Sequence, residues 1–108
     1  MPKGSNHPVG EQPDGMMQRI QRLQQQLAEA QERLANETVT ATAGGGAIKV
    51  VMTGDQKCRS VEIDPVLLKD ADAKMLQDLV LAAINLALDK SRELQQQVLG
   101  PLSGGQSF

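Results

Sequence analysis

The chain has 108 residues, a formal net charge of −2 at pH 7 and a sequence pI near 5.3. This charge gives no global electrostatic attraction to nucleic acid or to an anionic membrane. Its single cysteine, Cys58, excludes an internal disulfide and is typical of a reducing compartment. Because neither an apolar run of about 18 residues nor a signal peptide is found, we expect a cytoplasmic protein with no membrane partner.

The N-terminal 36 residues divide into two segments of different composition. Residues 1–15 are rich in Pro and Gly and are predicted to form a flexible arm, with Asp14 as the N-cap of the helix that follows. From residue 16 to about residue 36, apolar residues recur in steps of four and three, which predicts an amphipathic helix with a coiled-coil seam. The seam consists of Met16, Ile20, Leu23, Leu27, Ala30 and Leu34.

The middle of the chain has the pattern of a small β-sheet. Residues 38–43, 48–53 and 58–64 alternate in polarity with period two, which is typical of half-buried strands. Residues 44–46 are all Gly, and residues 54–57 read as a turn. Connections this short predict a three-stranded antiparallel meander.

The C-terminal part is predicted to be mainly one long helix. Asp64 and Pro65 suit the cap and first position of a short helical turn, and Asp70 or Asp72 caps the longer helix. A wide apolar stripe from Met75 to Val98, which includes Ser91, can contact two surfaces. Gly and Pro at positions 100 and 101 are predicted to end the helix before a disordered tail, residues 100–108.

These elements predict an α+β fold of a long N-terminal helix, a three-stranded antiparallel meander and a long C-terminal helix. The length is near the lower limit for a self-sufficient core, and no Trp or Tyr is available to fill it. Two apolar helix faces with so little to cover them favour a homodimer.

An enzyme is not expected. His7 is the only histidine and lies in the arm, where no rigid neighbour would orient it. Cys58 has no structured His to activate it, so a small buried or strand-edge residue is the better interpretation. Helix capping explains Asp64, Asp70 and Asp72 better than a metal site does, and the Gly run precedes a strand rather than a phosphate-binding helix. The sequence predicts no catalytic residue, no metal and no cofactor.

The basic residues leave one further possibility. If the two long helices are antiparallel, residues 16–28 and 79–99 lie at the same pole, far from the strands. This pole would hold Arg19, Arg22, Lys90 and Arg92 against only Asp89 and Glu93, among Gln side chains that can hydrogen-bond phosphates and base edges. A few cations on exposed helices also occur simply for solubility, and DNA contact needs several cations in each footprint.

Several short stretches, in this order and spacing, resemble the YbaB/EbfC family of bacterial nucleoid-associated proteins. They are Ala-Ile-Lys-Val (47–50) before a Thr-Gly turn (53–54), Val-Glu-Ile-Asp-Pro (61–65) with Leu-Leu (67–68), Leu-Gln-Asp-Leu-Val (76–80), and Ala-Ala-Ile-Asn-Leu-Ala (82–87) with Lys90 just beyond. The resemblance covers roughly residues 16–99, which we take as the dimerisation and DNA-binding domain.

The resemblance implies a homodimer whose long helices project like tweezers and hold double-stranded DNA with little sequence preference. It also implies a nucleoid-associated location in the cytoplasm and an influence on nucleoid organisation and gene expression, without a small-molecule substrate. Lys3 on the arm is expected to add a contact. The expected DNA-binding residues are Arg19, Arg22, Lys90 and Arg92, supported by Gln18, Gln25 and Gln26. The alternative is a dimeric structural adaptor that binds protein partners only.

Overall fold

The computed structural model describes residues 3–103, and the side chains of residues 15–102. Six elements follow in chain order: α1 (Lys3–Asn36), β1 (Thr38–Ala43), β2 (Ile48–Thr53), β3 (Cys58–Ile63), α2 (Pro65–Asp70) and α3 (Ala73–Ser103). The molecule measures 88 × 25 × 16 Å because α1 extends far beyond the sheet. The predicted α+β fold and its order of elements are confirmed.

The three strands form one antiparallel sheet in the order β1-β2-β3. Ala41 pairs with Val50, and Val50 pairs with Val61 on its other side. Gly44, Gly45 and Gly46 all have positive φ in the β1–β2 connection, a conformation that glycine adopts without strain. The register slips between Val51 and Met52, which leaves Arg59 without a direct partner on β2.

The core lies between one face of the sheet and α3. Helix α3 packs across β1 and β2 and makes little contact with β3. Small residues of α3 let it lie close to the sheet, and the inward side chains of β2 fill the space below it. The buried members of this cluster are Ala41, Ile48, Val50, Met52, Ala83 and Ala87.

A second, smaller cluster joins the two long helices. Ala30 and Leu34 of α1 are buried against Val98 of α3, with Leu94 and Leu102 at the margin. Leu34 and Leu94 both lie next to Gly54, whereas Ala30 lies beside Val98 and Leu102. Earlier residues of α1 thus meet later residues of α3, so the two helices are antiparallel, as predicted. Only the C-terminal third of the α1 seam is therefore covered within the chain.

Both predicted helix starts after β3 are capped by aspartates. The Asp64 carboxylate accepts a hydrogen bond from the Val66 amide, and Pro65 follows as the first residue of α2. The Asp72 carboxylate accepts from the Met75 amide at 2.8 Å, so Asp72 rather than Asp70 caps α3. Each capping carboxylate satisfies an amide that the helix itself leaves unpaired.

The structure differs from the sequence prediction at both ends of the chain. Helical backbone begins at Lys3, within the predicted arm, and Asp14 lies inside the helix instead of capping it. Extending an existing helix needs no new nucleus, so the helix that follows can carry these residues. The side chains of Lys3 and His7 lie outside the described part.

At the other end, α3 continues past Gly100 to Ser103, with Pro101 inside it. Proline in a last turn removes one backbone hydrogen bond, and packing of Leu99 and Leu102 against the α1–α3 cluster favours the helical continuation. The predicted disordered tail is therefore wrong for residues 100–103, and residues 104–108 lie outside the described part.

Candidate nucleic-acid interface

The N-terminal half of α1 is a helix exposed on all sides. Every residue from Met16 to Glu29 is exposed, because contact with α3 begins only near Ala30. This stretch has a cationic face and an apolar face. Arg19, Arg22 and Gln26 follow one another at spacings of three and four residues, so they share a face.

Gln18, Arg22 and Gln25 form an adjacent row by the same spacing. At about 100° per residue, Gln18 and Gln25 lie opposite the exposed seam and Arg22 is about 130° from its centre, whereas Arg19 and Gln26 flank the seam at about 70–90°. The seam residues there are Met16, Ile20, Leu23 and Leu27, with 63%, 48%, 42% and 37% of their surface exposed. The row of Gln18, Arg22 and Gln25 can therefore contact one partner while the apolar seam contacts another, and Arg19 lies at the border between the two faces.

The arginines of this face carry uncompensated charge. Within the described part of the chain, Arg19 and Arg22 have no ion pair and no hydrogen bond to another side chain. In contrast, Arg33 further along α1 is paired with Glu37. A guanidinium without an internal partner keeps all its donors for an external anion, and it suits phosphate because it can bind in a bidentate way.

Lys90 and Arg92 do not lie near Arg19 and Arg22. Lys90 Nζ donates to the carbonyl oxygen of Thr40 at 2.9 Å, which places it beside β1, and Arg92 is 3.4 Å from Asp89. From the antiparallel register, Arg92 is level with the C-terminal end of α1, about 25 Å along the axis from Arg19. The expectation that residues 79–99 lie far from the strands is therefore wrong for their first half.

Lys90 lies beside the strands because the first half of α3 covers the sheet. Ala83 and Ala87 are completely buried above β1 and β2, so the segment between Leu76 and Leu88 lies on the sheet and carries Lys90 with it. The structure thus brings Arg19 and Arg22 together with the three glutamines. Lys90 and Arg92 form a second, separate cationic position within the same chain.

Other cations lie at the sheet end. Lys74 pairs with Asp78, and Lys49 lies 4.0 Å from Glu62. Arg59 donates to the carbonyl oxygen of Ala35 at 3.2 Å, near the end of α1. All these groups are partly or largely exposed, where ion pairs contribute little to stability.

Sequence reasoning placed Ser91 in the apolar stripe and missed its polar role. Ser91 is completely buried, and its hydroxyl lies within hydrogen-bonding distance of the carbonyl oxygens of Thr53 and Gly54. Gln95, one turn further, donates to the same Gly54 oxygen at 2.8 Å. A hydroxyl within an otherwise apolar stripe, followed by an amide four residues later, is the signal that could have indicated a buried polar junction.

The cysteine and the possible metal ligands were the other groups that the sequence singled out. Cys58 is exposed on β3, which agrees with the interpretation as a strand-edge residue and not as a buried one. Its sulfur lies 3.6 Å from the carbonyl oxygen of Ser60. Among the described residues, no group of three His, Cys, Asp or Glu side chains could hold a metal ion. No helix within residues 3–103 is both long and apolar enough to cross a membrane.

Comparison with known proteins agrees with this architecture. A solved structure, the uncharacterized protein HP0035 from Helicobacter pylori, superposes with a TM-score of 0.71 over 82% of this chain and 92% of that chain, at 18% identity, which shows the shared fold. Among curated proteins, a nucleoid-associated protein of Pelotomaculum thermopropionicum is 47% identical over 89 residues, 82% of this chain and 85% of the relative.

A nucleoid-associated protein of Streptomyces avermitilis is 44% identical over 100 residues, covering 91% of this chain and 88% of the relative. The sequence profile of the YbaB/EbfC DNA-binding family matches residues 10–106. These matches span nearly the whole described fold, so the chain belongs to the YbaB/EbfC DNA-binding family.

Proposed function

We propose that this protein binds double-stranded DNA as a homodimer with little sequence specificity, and thereby influences nucleoid organisation and gene expression. The unit responsible is residues 16–99, and no cofactor takes part. Membership of a DNA-binding family and the names of the nucleoid-associated relatives support the proposal. The proposed contacts are Arg19, Arg22, Lys90 and Arg92 to phosphates, with Gln18, Gln25 and Gln26 as supporting hydrogen-bond donors.

The unpaired arginines of α1 are the observation that carries this proposal. Arg19 and Arg22 project on an exposed helix among amide side chains and have no acidic partner in the described structure. Such groups contact the phosphate backbone without reading bases, which accounts for weak sequence preference. Because the chain is acidic overall, the attraction to DNA is local, and it depends on the position and orientation of the α1 helices that carry these arginines.

Dimerisation is supported by the apolar surface that a single copy leaves exposed. The seam of α1 provides part of this surface, since Met16, Ile20, Leu23 and Leu27 are all exposed. Strand β3 provides another part: Val61 is 44% exposed, because α3 packs on β1 and β2. Apolar surface of this kind is typical of a protein–protein interface.

The test is retention of a mixed-sequence duplex by the purified protein across a salt series. We expect binding at low salt that falls steeply as salt rises, since each phosphate contact contributes about 0.9 to the slope of log K against log salt. Duplexes of unrelated sequence should bind within a few-fold of one another. Retention that is absent even at low salt would contradict the proposal.

The second candidate is a structural adaptor that binds proteins only. The same exposed apolar residues of α1 and β3 favour it, because apolar patches also recruit protein partners. An adaptor would show no duplex retention at any salt, so the salt series separates the two functions.

A further inference from the structure

A buried polar junction joins the base of α1 to α3. Its centre is the backbone of Gly54, in the turn between β2 and β3. The Gly54 amide donates to the carbonyl oxygen of Glu37, the residue that links α1 to β1, at 3.0 Å. On the other side, the Gly54 carbonyl oxygen accepts from Ser91 at 3.0 Å and from Gln95 at 2.8 Å. One residue therefore connects the end of α1 to α3.

The junction has no spare room. A Cβ atom built on Gly54 would lie 2.7 Å from Leu34 Cδ2, 3.0 Å from the Leu34 carbonyl oxygen and 3.0 Å from Leu94 Cδ2. The turn touches both helices at this point, and only glycine fits between them. The junction thus combines directional hydrogen bonds with close packing.

The turn that carries Gly54 is itself braced. The Thr53 hydroxyl oxygen accepts from the Lys57 amide at 3.0 Å, and the Thr53 amide donates to the Lys57 carbonyl oxygen at 2.8 Å. Thr53 also bonds the Asp55 carboxylate. A turn held by its own bonds is a fixed anchor, so the bonds from Ser91 and Gln95 fix α3 against the sheet and α1 together.

Small changes at this junction are amplified along α1. The direct contacts between the long helices end near Ala30, and Arg19 lies about 22 Å beyond Leu34. A rotation of roughly 10° at the base would move Arg19 by about 4 Å. This displacement is larger than the range within which a guanidinium and a phosphate keep their hydrogen bonds.

We propose that Gly54, Ser91 and Gln95 are positioning residues that set the angle between α1 and α3, and through it the placement of Arg19 and Arg22 for DNA. The consequence for DNA rests on the proposed function. The three residues do not contact the ligand. They limit the orientations of the cationic face, and this preorganisation lowers the entropic cost of binding.

The experiment compares Gln95→Glu with Gln96→Glu. Both variants add the same charge to neighbouring positions of α3, but only the first replaces the donor to Gly54 with a carboxylate. Gln96 is exposed, and its side chain has no hydrogen bond in the described structure. Ser91→Ala, which removes only the buried hydroxyl, is a second and milder variant.

Two quantities are measured for each variant. Spin labels at Gln24→Cys on α1 and Gln97→Cys on α3, in a Cys58→Ser background and diluted with unlabelled protein, report the distance between the helices. Duplex affinity is measured over the same salt series as for the wild type, and circular dichroism confirms that the variants fold. In Gln95→Glu we expect the distance distribution to shift or broaden by about 3 Å, because residue 24 lies about 15 Å beyond Leu34 along α1.

Affinity should fall about 10-fold below that of Gln96→Glu, because the cationic face is less well preorganised. The salt slopes of the two variants should agree, because the same phosphates are contacted. Unchanged distances in both Gln95→Glu and Ser91→Ala would overturn the positioning role, and so would changed distances with affinity equal to that of Gln96→Glu. If the wild type retains no duplex, the proposed function fails, and the distances alone decide whether the junction sets the angle.

Discussion

Lys90 Nζ lies 2.9 Å from the carbonyl oxygen of Thr40, so a cation of α3 reaches the backbone of β1. Strand β1 is an edge strand of the sheet, with β2 as its only neighbour among the described strands. The backbone groups of an edge strand can pair with another sheet, and a lysine of a neighbouring helix placed against the strand discourages such pairing. Lys90 therefore has a structural contact within the chain in addition to its proposed contact with phosphate.

Lys90→Ala tests whether the two roles coexist. We expect the salt slope of duplex binding to fall by about 0.9 for each phosphate that is no longer neutralised, hence by up to about 1.8 in a dimer. The free energy of unfolding should change by less than about 1 kcal/mol, because the hydrogen bond is exposed to solvent. Duplex-binding titrations at several salt concentrations measure the salt slope, and denaturant unfolding measures the free energy. An unchanged salt slope would show that Lys90 does not contact DNA.

The paired substitution Arg19→Ala with Arg22→Ala should have a larger effect on DNA binding. Removing two cations from each of two copies would lower the salt slope by up to about 3.6. Affinity should weaken by a similar factor for duplexes of different sequence, because phosphate contacts carry no sequence information. Mobility-shift titrations at several salt concentrations measure both effects.

The matched control is Lys57→Ala with Lys69→Ala. These lysines are exposed at the sheet end and, like the two arginines, have no ion pair in the described structure. The control removes the same formal charge from a different place. If it lowers the slope as much as the arginine variant does, net charge rather than the α1 face governs binding.

Leu23→Asp tests the dimer contact proposed for the α1 seam. Leu23 is 42% exposed in the single chain, so a carboxylate there is tolerated by the monomer. Burying that carboxylate in an apolar interface costs several kcal/mol, which should raise the dimer dissociation constant about 100-fold. Sedimentation equilibrium measures this constant. Gln21→Asp, on another face of α1, should leave it nearly unchanged, and an intact Leu23→Asp dimer would place the interface elsewhere.

The sequence was sufficient to predict the order and type of the elements, because apolar periodicity differs between helix and strand. It was also sufficient for the cap at Asp64 and left only Asp70 as the alternative to Asp72, because capping chemistry is local. The predicted cap at Asp14 was wrong, because α1 begins further towards the N-terminus. The helix ends were harder to predict. Leu102 packs on α1 beyond a Gly-Pro pair that usually ends a helix, and such a tertiary contact leaves no local signal.

The candidate site was predicted only in part for a similar reason. The spacing of Arg19 and Arg22 determines that they share a face of α1. The position of Lys90 depends on which stretch of α3 lies on the sheet, and a continuous apolar stripe from Met75 to Val98 does not specify it. Burial of Ala83 and Ala87 shows which stretch of α3 lies on the sheet, and this burial is known only once the helix and the sheet are packed together.

Substitutions at two glycines should have opposite effects on stability. Gly54→Ala places a methyl group 2.7 Å from Leu34 Cδ2 and 3.0 Å from the Leu34 carbonyl oxygen, and backbone can yield only by separating α1 from the turn. We expect stability to fall by about 1–3 kcal/mol, typical of overpacking in a closed interior. Thermal unfolding followed by circular dichroism measures this destabilisation as a lower Tm.

Gly15→Ala is the matched control, because it makes the same chemical change inside α1 with nothing within 4 Å of the new methyl group. In the interior of a helix, alanine is about 1 kcal/mol more favourable than glycine. This variant should therefore be at least as stable as the wild type. A higher Tm would also support the helical state of residue 15, where the sequence predicted a flexible arm. If both variants melt at the wild-type temperature, the close approach of Gly54 to Leu34 is not maintained in solution, and the junction between α1 and α3 is looser than its hydrogen bonds imply.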